Sequence, residues 1–419
     1  MTFPLRRVFN SIFAPGERLS LKAHRSATHR VLDPETSYQN IRPFLRLMGV
    51  TRVADVTNLD YLGIPTIAVI RPNSVSLDVQ QGKGISLLHA KVSGLMEAME
   101  YHCFERARPD CRGYVPRDLA GHRTVMPRRL LLKSRAYVTP LDWRRGIDMV
   151  SGGEVLVPEE IVSCDYTRPH RSGYGYFLPS SNGVATGNTF DEAALHALCE
   201  LIERDAHFLW RRSPSAHRAA TRIDPSASDD PHVHLYLDKY ARSGMRVEVW
   251  EITSDIGVPA FLCAIDDEDC SPPYLGRFFG SGCHPSVAVA LCRALSEAAQ
   301  TRLTIISGAR DDITPSDYAT FGWSGNIGSL LARPPMRAAD GTRPIQSKSF
   351  DTLSIGEDLH LVMARLVKAG IKTLIAFDLT DPDIGIPCVR MVAPDLEGPH
   401  DWPGYRPGRR ASKWMRQWQ

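Results

Sequence analysis

Three short stretches of this chain set polar, mostly acidic side chains at helical spacing. Ser93 to Glu100 reads SGLMEAME and carries Glu97 and Glu100. Ala197 to Arg204 reads ALCELIER and carries Glu200 and Glu203. Ala294 to Arg302 reads ALSEAAQTR and carries Glu297 and Gln300. Residues three and four apart share a helix face. Ser93, Glu97 and Glu100 therefore form one stripe, and Glu192, His196, Glu200 and Glu203 another. The residues around them are apolar (Leu95, Met96 and Met99; Leu198, Leu201 and Ile202; Leu295, Ala298 and Ala299), which predicts largely buried helices. Carboxylates buried together repel and become neutral unless cations compensate them. Oxygen ligands suit hard cations, and magnesium in particular takes a few carboxylates, keeps some waters and bridges to nucleotide phosphates. An exposed face laced with i,i+4 ion pairs would explain any one of these helices, but not three of the same design.

Each acidic helix also follows a glycine-bearing turn: Gly82-Lys83-Gly84, then Gly183 to Gly187-Asn188, then Gly280 to His284-Pro285. Gly84 to Glu97 and Gly187 to Glu200 are both 13-residue steps. Lys83 and Arg204 would supply positive charge for phosphate oxygens. The Gly-Lys-Gly triplet lacks the full phosphate-loop pattern, and its value lies in its position ahead of the first acidic helix. Thr189 and Glu192 fit a capping box, and Pro285 suits a first helical turn.

The elements that must hold these residues read as alternating helices and strands, a mixed α/β (α+β) chain. Strands are expected over Ile64 to Arg71, Val247 to Ile252, Ala260 to Ile265, Thr373 to Asp378 and Cys388 to Ala393. Helices are expected over Ser86 to Arg106, Phe190 to Arg211, Pro285 to Ser307 and Leu353 to Ala369, the last capped by Gly370. Arg108 to Pro179, rich in Pro, Gly and Arg, reads as an irregular insertion with a short strand at Glu154 to Val157. Residues 311–350 also read as irregular. The organisation expected is a basic lead-in over 1–40, one main domain over 41–400 and a basic tail over 401–419.

The 419 residues carry a formal net charge of only +3, which gives no support to a nucleic-acid binder. The nine cysteines form no CxxC pair and read as reduced thiols of a cytoplasmic protein. No signal peptide or membrane span is visible. The two basic ends read as solvated tails, with a dock for an acidic peptide or partner as the functional alternative.

With these residues in hand, the chain resembles the YcaO family. The stretches that carry the likeness are QGKGISLLHAKVSGLMEAMEYH, SNGVATGNTFDEAALHALCELIERDA, GCHPSVAVALCRALSEAAQTRLTIISGARDD and AFDLTDPDIGIPCVRMVAPDLEG, in the family order. The resemblance implies a distinctive nucleotide fold with ATP and Mg2+ among acidic helices. It implies Glu97, Glu100, Glu200 and Glu203 as magnesium ligands, Lys83, Ser93, Arg204 and Arg302 as nucleotide contacts, and Glu192, Glu297 and Gln300 in the same site. Tyr101 departs from the pattern, because many members carry arginine there. The implied reaction adds a nucleophile to a backbone amide of a peptide or protein, and the resulting oxygen takes the ATP γ-phosphoryl group before leaving as phosphate. The absence of a proline-rich PxPxP end and the segment RVADVTNLDYLGIPTIAVIRPNS resemble members that work with a TfuA-type partner. External sulfide is therefore the expected nucleophile and a backbone thioamide the product. Azoline cyclodehydration and a non-catalytic nucleotide-binding scaffold are the alternatives. A homodimer is compatible with the sequence, and trimming of 410–419 is expected to be tolerated better than in proline-tailed relatives.

Six further residues, at four places, invite roles. His196 either orients a carboxylate or is a hydrogen-bonded core histidine. Cys283-His284 reads as a helix start before Pro285 rather than a nucleophile, since no oxyanion motif accompanies it. Cys199, between acids, is expected to be inert. Asp311-Asp312 reads equally as a turn or as support for the site.

Overall fold

The computed structural model describes residues 20–167, 169–170, 172–267, 276–314, 341–398 and 405–418. In chain order its principal elements are α1 (Pro34–Ile41), β1 (Arg52–Asp55), β2 (Thr66–Ile70), β3 (Val79–Lys83), α2 (Leu87–Glu105), β4 (Cys111–Tyr114), β5 (Leu141–Asp148), β6 (Glu154–Pro158), β7 (Val184–Thr186) and α3 (Phe190–Arg211). There follow β8 (Arg222–Ile223), α4 (Pro231–Arg242), β9 (Met245–Glu251), β10 (Ala260–Asp267), β11 (Phe278–Cys283), α5 (Val287–Ser307), α6 (Ile355–Lys368), β12 (Ile375–Asp378), β13 (Cys388–Val392) and α7 (Arg409–Met415).

The strands make three sheets, ordered β1-β2-β3, β11-β10-β9-β8 and β4-β5-β12-β13-β7, with β6 also on β5. All of these strand pairings are antiparallel, so the fold is α+β. The three strands that feed the acidic helices, β3, β7 and β11, each lie at the end of a different sheet. Each acidic helix packs on the strand before it and also on the feeding strand of another helix: α2 on β3 and β7, α3 on β7 and β11, α5 on β11 and β3. The arrangement is a closed ring of three strand–turn–helix units.

Backbone glycines let β3 and β11 lie directly on the helices that follow them. A Cβ on Gly82 would lie 2.0 Å from the Ala90 carbonyl oxygen and 2.1 Å from the Gly94 nitrogen. One on Gly282 would lie 2.1 Å from the Ala290 oxygen. Strand backbone therefore rests directly on helix backbone, a contact no side chain permits. The helix starts are set by Ser86, which accepts from the His89 N–H, and by Thr189, which accepts from the Glu192 N–H. The capping box at α3 closes one residue early, because Glu192 Oε1 accepts from the Asn188 N–H (3.3 Å) and the Asn188 side-chain amide (3.0 Å).

Several elements depart from the sequence reading. The Arg108–Pro179 segment expected to be irregular holds the short strand expected at Glu154 to Val157, seen as β6, and also contributes β4 and β5. Leu141 and Trp143 alternate there with partly exposed Asp142 and Arg144, and the charges mask a half-buried strand. The amphipathic helix α4, capped by Asp230 with Val233, Tyr236 and Tyr240 inward, and the glycine-bearing strand β11 were not expected. Residues 315–340 of the predicted irregular region and 1–19 of the basic lead-in lie outside the described residues.

The described parts of both ends dock on the body through a few residues, while Arg25, Arg406, Arg409, Lys413 and Arg416 stay exposed as the solvated-tail reading expects. Lys22 Nζ is buried 2.6 Å from Asp358 and 3.3 Å from Asp351. Arg410 Nε lies 2.8 Å from both oxygens of the fully buried Asp205. The Trp414 indole donates to Ser213 Oγ at 2.9 Å. No helix among the described residues is long and apolar enough to cross a membrane.

Candidate active site among three acidic helices

Glu97, Glu200 and Glu297 each stand ten residues after the first residue of their helix, and Glu100, Glu203 and Gln300 thirteen. At six residues the three helices carry Ser93, His196 and Arg293, and at fourteen Tyr101, Arg204 and Thr301. All twelve line one cavity of about 530 Å³. Lys83 and Glu192 line it too, so of the eleven residues expected in the site only Arg302 is absent from its wall.

The second polar residue of each stripe reaches the feeding strand of the next unit. Glu100 Oε1 accepts from the Thr186 N–H (3.1 Å), Glu203 Oε1 from the Ser281 hydroxyl (2.6 Å), and Gln300 Nε2 donates to the Gln81 carbonyl (2.8 Å). Lys83 Nζ lies 2.8 Å from Glu297 Oε2. Glu200 Oε2 accepts from the Gly183 N–H at 3.1 Å, and Arg204 Nη2 stands 3.9 Å from Glu200 Oε1.

Burial dominates the electrostatics. It pushes Glu97 up to about 7 against the pull of Lys83 and Arg310. Burial and then the charge of Glu97 hold Glu100 well above the ordinary range. Burial also raises Glu200, despite Arg204, and Glu203, where Glu297 adds to it. Burial acts on Glu297 as well, but Lys83 and Arg204 outweigh it and hold that carboxyl at about 2. Four carboxyls pushed up by burial in a single cavity form an oxygen donor set that a hard cation would relieve. Among the described residues no three His, Cys, Asp or Glu side chains close on one point as a metal site. Carboxylate oxygens of this kind suit magnesium, which takes a few of them and keeps several waters.

Two expected contacts are committed elsewhere. Arg302, 2% exposed, bonds Asp60 (2.9 Å), Asp267 (3.2 Å) and the Tyr61 hydroxyl (3.2 Å). Its charge is spent on neighbouring buried or partly buried carboxylates, which explains its absence from the cavity wall. Glu192 Oε2 accepts from the Val31 N–H at 2.9 Å, with Arg30 Nε 3.7 Å from Oε1, tying the N-terminal segment to α3 at the cavity wall.

The cavity also recruits residues that the sequence reading did not propose: Arg30, Arg293, Tyr101 and Arg310. Arg293 sits one helical turn before Glu297, a spacing that could have nominated it. Its Nη2 donates to His196 Nε2 at 3.0 Å. Burial, then Arg293, holds the His196 pKa well below its usual value, so the ring is neutral with its proton on Nδ1. Cys283 is 1% exposed, and burial raises its pKa well above a free thiol's. His284 Nδ1 accepts from the Ser286 N–H at 2.9 Å; α5 begins at Val287 with Ser286 at its N-cap, so His284 and Pro285 lie just before the helix rather than in its first turn.

A family model described as "YcaO cyclodehydratase", ATP- and Mg2+-binding, matches residues 81–397, which contain all three acidic helices. The chain belongs to the YcaO family. ATP and Mg2+ are the cofactors of this YcaO domain. A Rhizobium leguminosarum bv. trifolii protein described as uncharacterized, in the tfuA 3′ region, is 36% identical over 380 residues, covering 88% of each chain. A Methanothermobacter thermautotrophicus protein is 31% identical over 366 residues, covering 84% of this chain and 91% of its own. Among solved structures, a heterocyclase in complex with substrate and cofactor superposes with a TM-score of 0.77 at 21% identity. It aligns with 98% of this chain, which spans 58% of that larger protein. YcaO from Methanopyrus kandleri bound with AMPPCP and Mg2+ superposes with a TM-score of 0.71 at 20% identity, covering 93% and 100%. These structural likenesses establish the fold.

Proposed function

We propose that this YcaO protein uses ATP to convert a backbone amide of a peptide or protein into a thioamide, with sulfide as nucleophile and a TfuA-like protein as partner. The observation that carries this choice is the 36%-identical relative in the tfuA 3′ region. ATP supplies the phosphoryl group that turns the poor amide-oxygen leaving group into phosphate, and magnesium neutralises the charge involved. Glu97, Glu100, Glu200 and Glu203 hold the metal. Lys83, Ser93, Arg204 and Gln300 face the nucleotide, and Glu297 keeps the Lys83 ammonium in place. Glu192 and Arg302 act by position, Glu192 through the N-terminal segment and Arg302 by fixing α5 against Asp60. The chain's contribution is alignment and charge placement in a site sheltered from water.

Hydrosulfide adds to the amide carbon, the former carbonyl oxygen takes the γ-phosphoryl group, and phosphate departs as the C=S bond forms, leaving ADP. Intact-mass analysis of a candidate peptide incubated with ATP, Mg2+, sulfide and the TfuA-like partner tests the reading. Exchange of oxygen for sulfur raises the mass only when sulfide is present. Azoline formation, the reading favoured by the family's cyclodehydratase description, lowers it by one water without sulfide and would replace the proposal. Absence of ATP turnover in the complete mixture would point to a non-catalytic scaffold.

A further inference from the structure

Charge is spread unevenly over the molecule. Residues 204–220 and 405–418 hold nine Lys and Arg and one acid, Asp205, in a chain whose formal net charge is only +3. Asp205 is fully buried and spent on Arg410, so no acid of either segment answers the remaining cations. The two segments form one surface. The Phe208 ring meets Tyr405 edge-on at 5.3 Å and carries the Arg212 guanidinium at 4.3 Å. The Trp414 indole bonds Ser213 Oγ at 2.9 Å, and the Trp418 ring lies 4.4 Å from that of His217 on the short helix Ser215–Ala220. With α7 seated in this way, Arg409, Lys413 and Arg416, at steps of four and three residues, share one stripe, and all three are exposed, as are Arg406 and Arg212. Like charges at this spacing repel, and Arg409 opens α7 at the positive end of its dipole. The packing of α7 does not use them, since Arg410, Ala411 and Trp414 make its contacts with the body. A stripe that costs stability and serves no contact of the fold is suited to an anionic ligand. Helix α3 joins this face to the catalytic cavity. Glu200 and Arg204 line the cavity, and Phe208 and Arg212 continue at four-residue steps to the surface that receives α7. Glu200 and Arg212 are separated by about 18 Å along the helix axis, a span that about five extended peptide residues cover. Guanidinium groups at that distance match peptide carboxylates, which they hold through two parallel hydrogen bonds.

We infer that the face built by α7 and the C-terminal end of α3 docks an acidic stretch of the peptide substrate, set about five or more residues from the amide that is modified. The inference rests on the peptide substrate of the function proposed above and is independent of which nucleophile attacks the amide.

The test is fluorescence anisotropy of a labelled octaglutamate peptide with the full chain, in excess β,γ-methylene ATP and Mg2+ so that the catalytic cavity is not the site measured. Binding is expected to weaken as salt rises and to be lost with octaglutamine. Arg409→Gln, Lys413→Gln and Arg416→Gln together are expected to weaken it about tenfold, the combined scale of three exposed charge pairs. Arg212→Gln, which leaves α7 untouched, is expected to lose a smaller factor. The same change of charge made at the exposed Arg42, Arg46 and Arg52 is expected to stay within about twofold of the parent. Equal losses in the two triple variants overturn the inference, as does a loss below about twofold in the α7 triple or a parent that binds no octaglutamate. A single-stranded oligonucleotide of matched charge that binds more tightly than the peptide also overturns it, in favour of a nucleic acid. Melting curves are expected to show the α7 triple at least as stable as the parent; if it is not, Arg212→Gln with Arg406→Gln replaces it. The measurement needs neither sulfide nor the TfuA-like partner. Octaglutamate bound at this face, alongside peptide that never becomes a thioamide, would therefore refute the function proposed above and leave the dock standing.

Discussion

Replacing Arg410 tests whether the C-terminal segment bears on the site-forming helix. Asp205 follows Arg204 on α3, is fully buried, and accepts from both Arg410 Nε and the Glu397 N–H (2.9 Å). Burial raises its pKa to about 6, with Arg410 opposing that rise. Removing one partner of a buried ion pair costs about 3–5 kcal/mol, because the other charge is left unpaired. The second Arg410 contact, to the exposed Asp255, adds little. Arg410→Ala should therefore lower Tm by several degrees at pH 7.5 in scanning fluorimetry.

The pH dependence makes the test specific. A carboxyl whose folded pKa lies above its unfolded value of about 3.9 binds protons more tightly when folded, so its unfavourable contribution grows as pH rises between the two values. Loss of Arg410 raises the folded pKa further and extends that window above about 6. The Tm deficit of Arg410→Ala should shrink toward pH 5, where Asp205 carries a proton, and widen toward pH 8. Asp205→Asn should remove most of the deficit in the double variant. An equal deficit at both pH values, or none, would refute the reasoning. Trimming of 410–419, expected from the sequence to be tolerated better than in proline-tailed relatives, should on this account destabilise the protein at least as much.

Glu200→Gln should abolish ATP-dependent modification while leaving Tm close to the parent, and retained activity in a turnover assay would remove Glu200 from the metal set. Gly82→Ala should cost more than about 2 kcal/mol of unfolding free energy by denaturant titration, because backbone rather than a movable side chain blocks the new Cβ. Cys283→Ala should keep turnover within a few-fold of the parent by phosphate release, since the buried thiol is no nucleophile; a complete loss with unchanged Tm would say otherwise.

The sequence made the acidic helices legible because their apolar period and polar stripes are local properties. The predicted Phe190 to Arg211 span is the one observed, and ten of the eleven expected site residues line the cavity. What it could not disclose depends on contacts distant along the chain. Arg302 sits in a motif that suggests a phosphate contact, but Asp60 and Asp267, far away in sequence, claim its guanidinium. Arg310 and Arg30 join the wall through turns that carry no periodic signal. The strand β5 was hidden by Arg144 and Arg145, whose charges are answered by the Asp378 backbone oxygen and by Glu154. The dependence of Asp205 on Arg410 was invisible because nothing in either local pattern marks the pair.

The position of β3, β7 and β11 at the margins of three sheets has a consequence for how the molecule comes apart. Opening any one sheet removes a wall shared by two helices, so the binding chamber exists only when the whole chain is assembled. A nucleotide that favours the assembled state by RT ln(1 + [L]/Kd) should accordingly slow amide hydrogen exchange in all three sheets together, including strands such as β9 that lie nowhere near it.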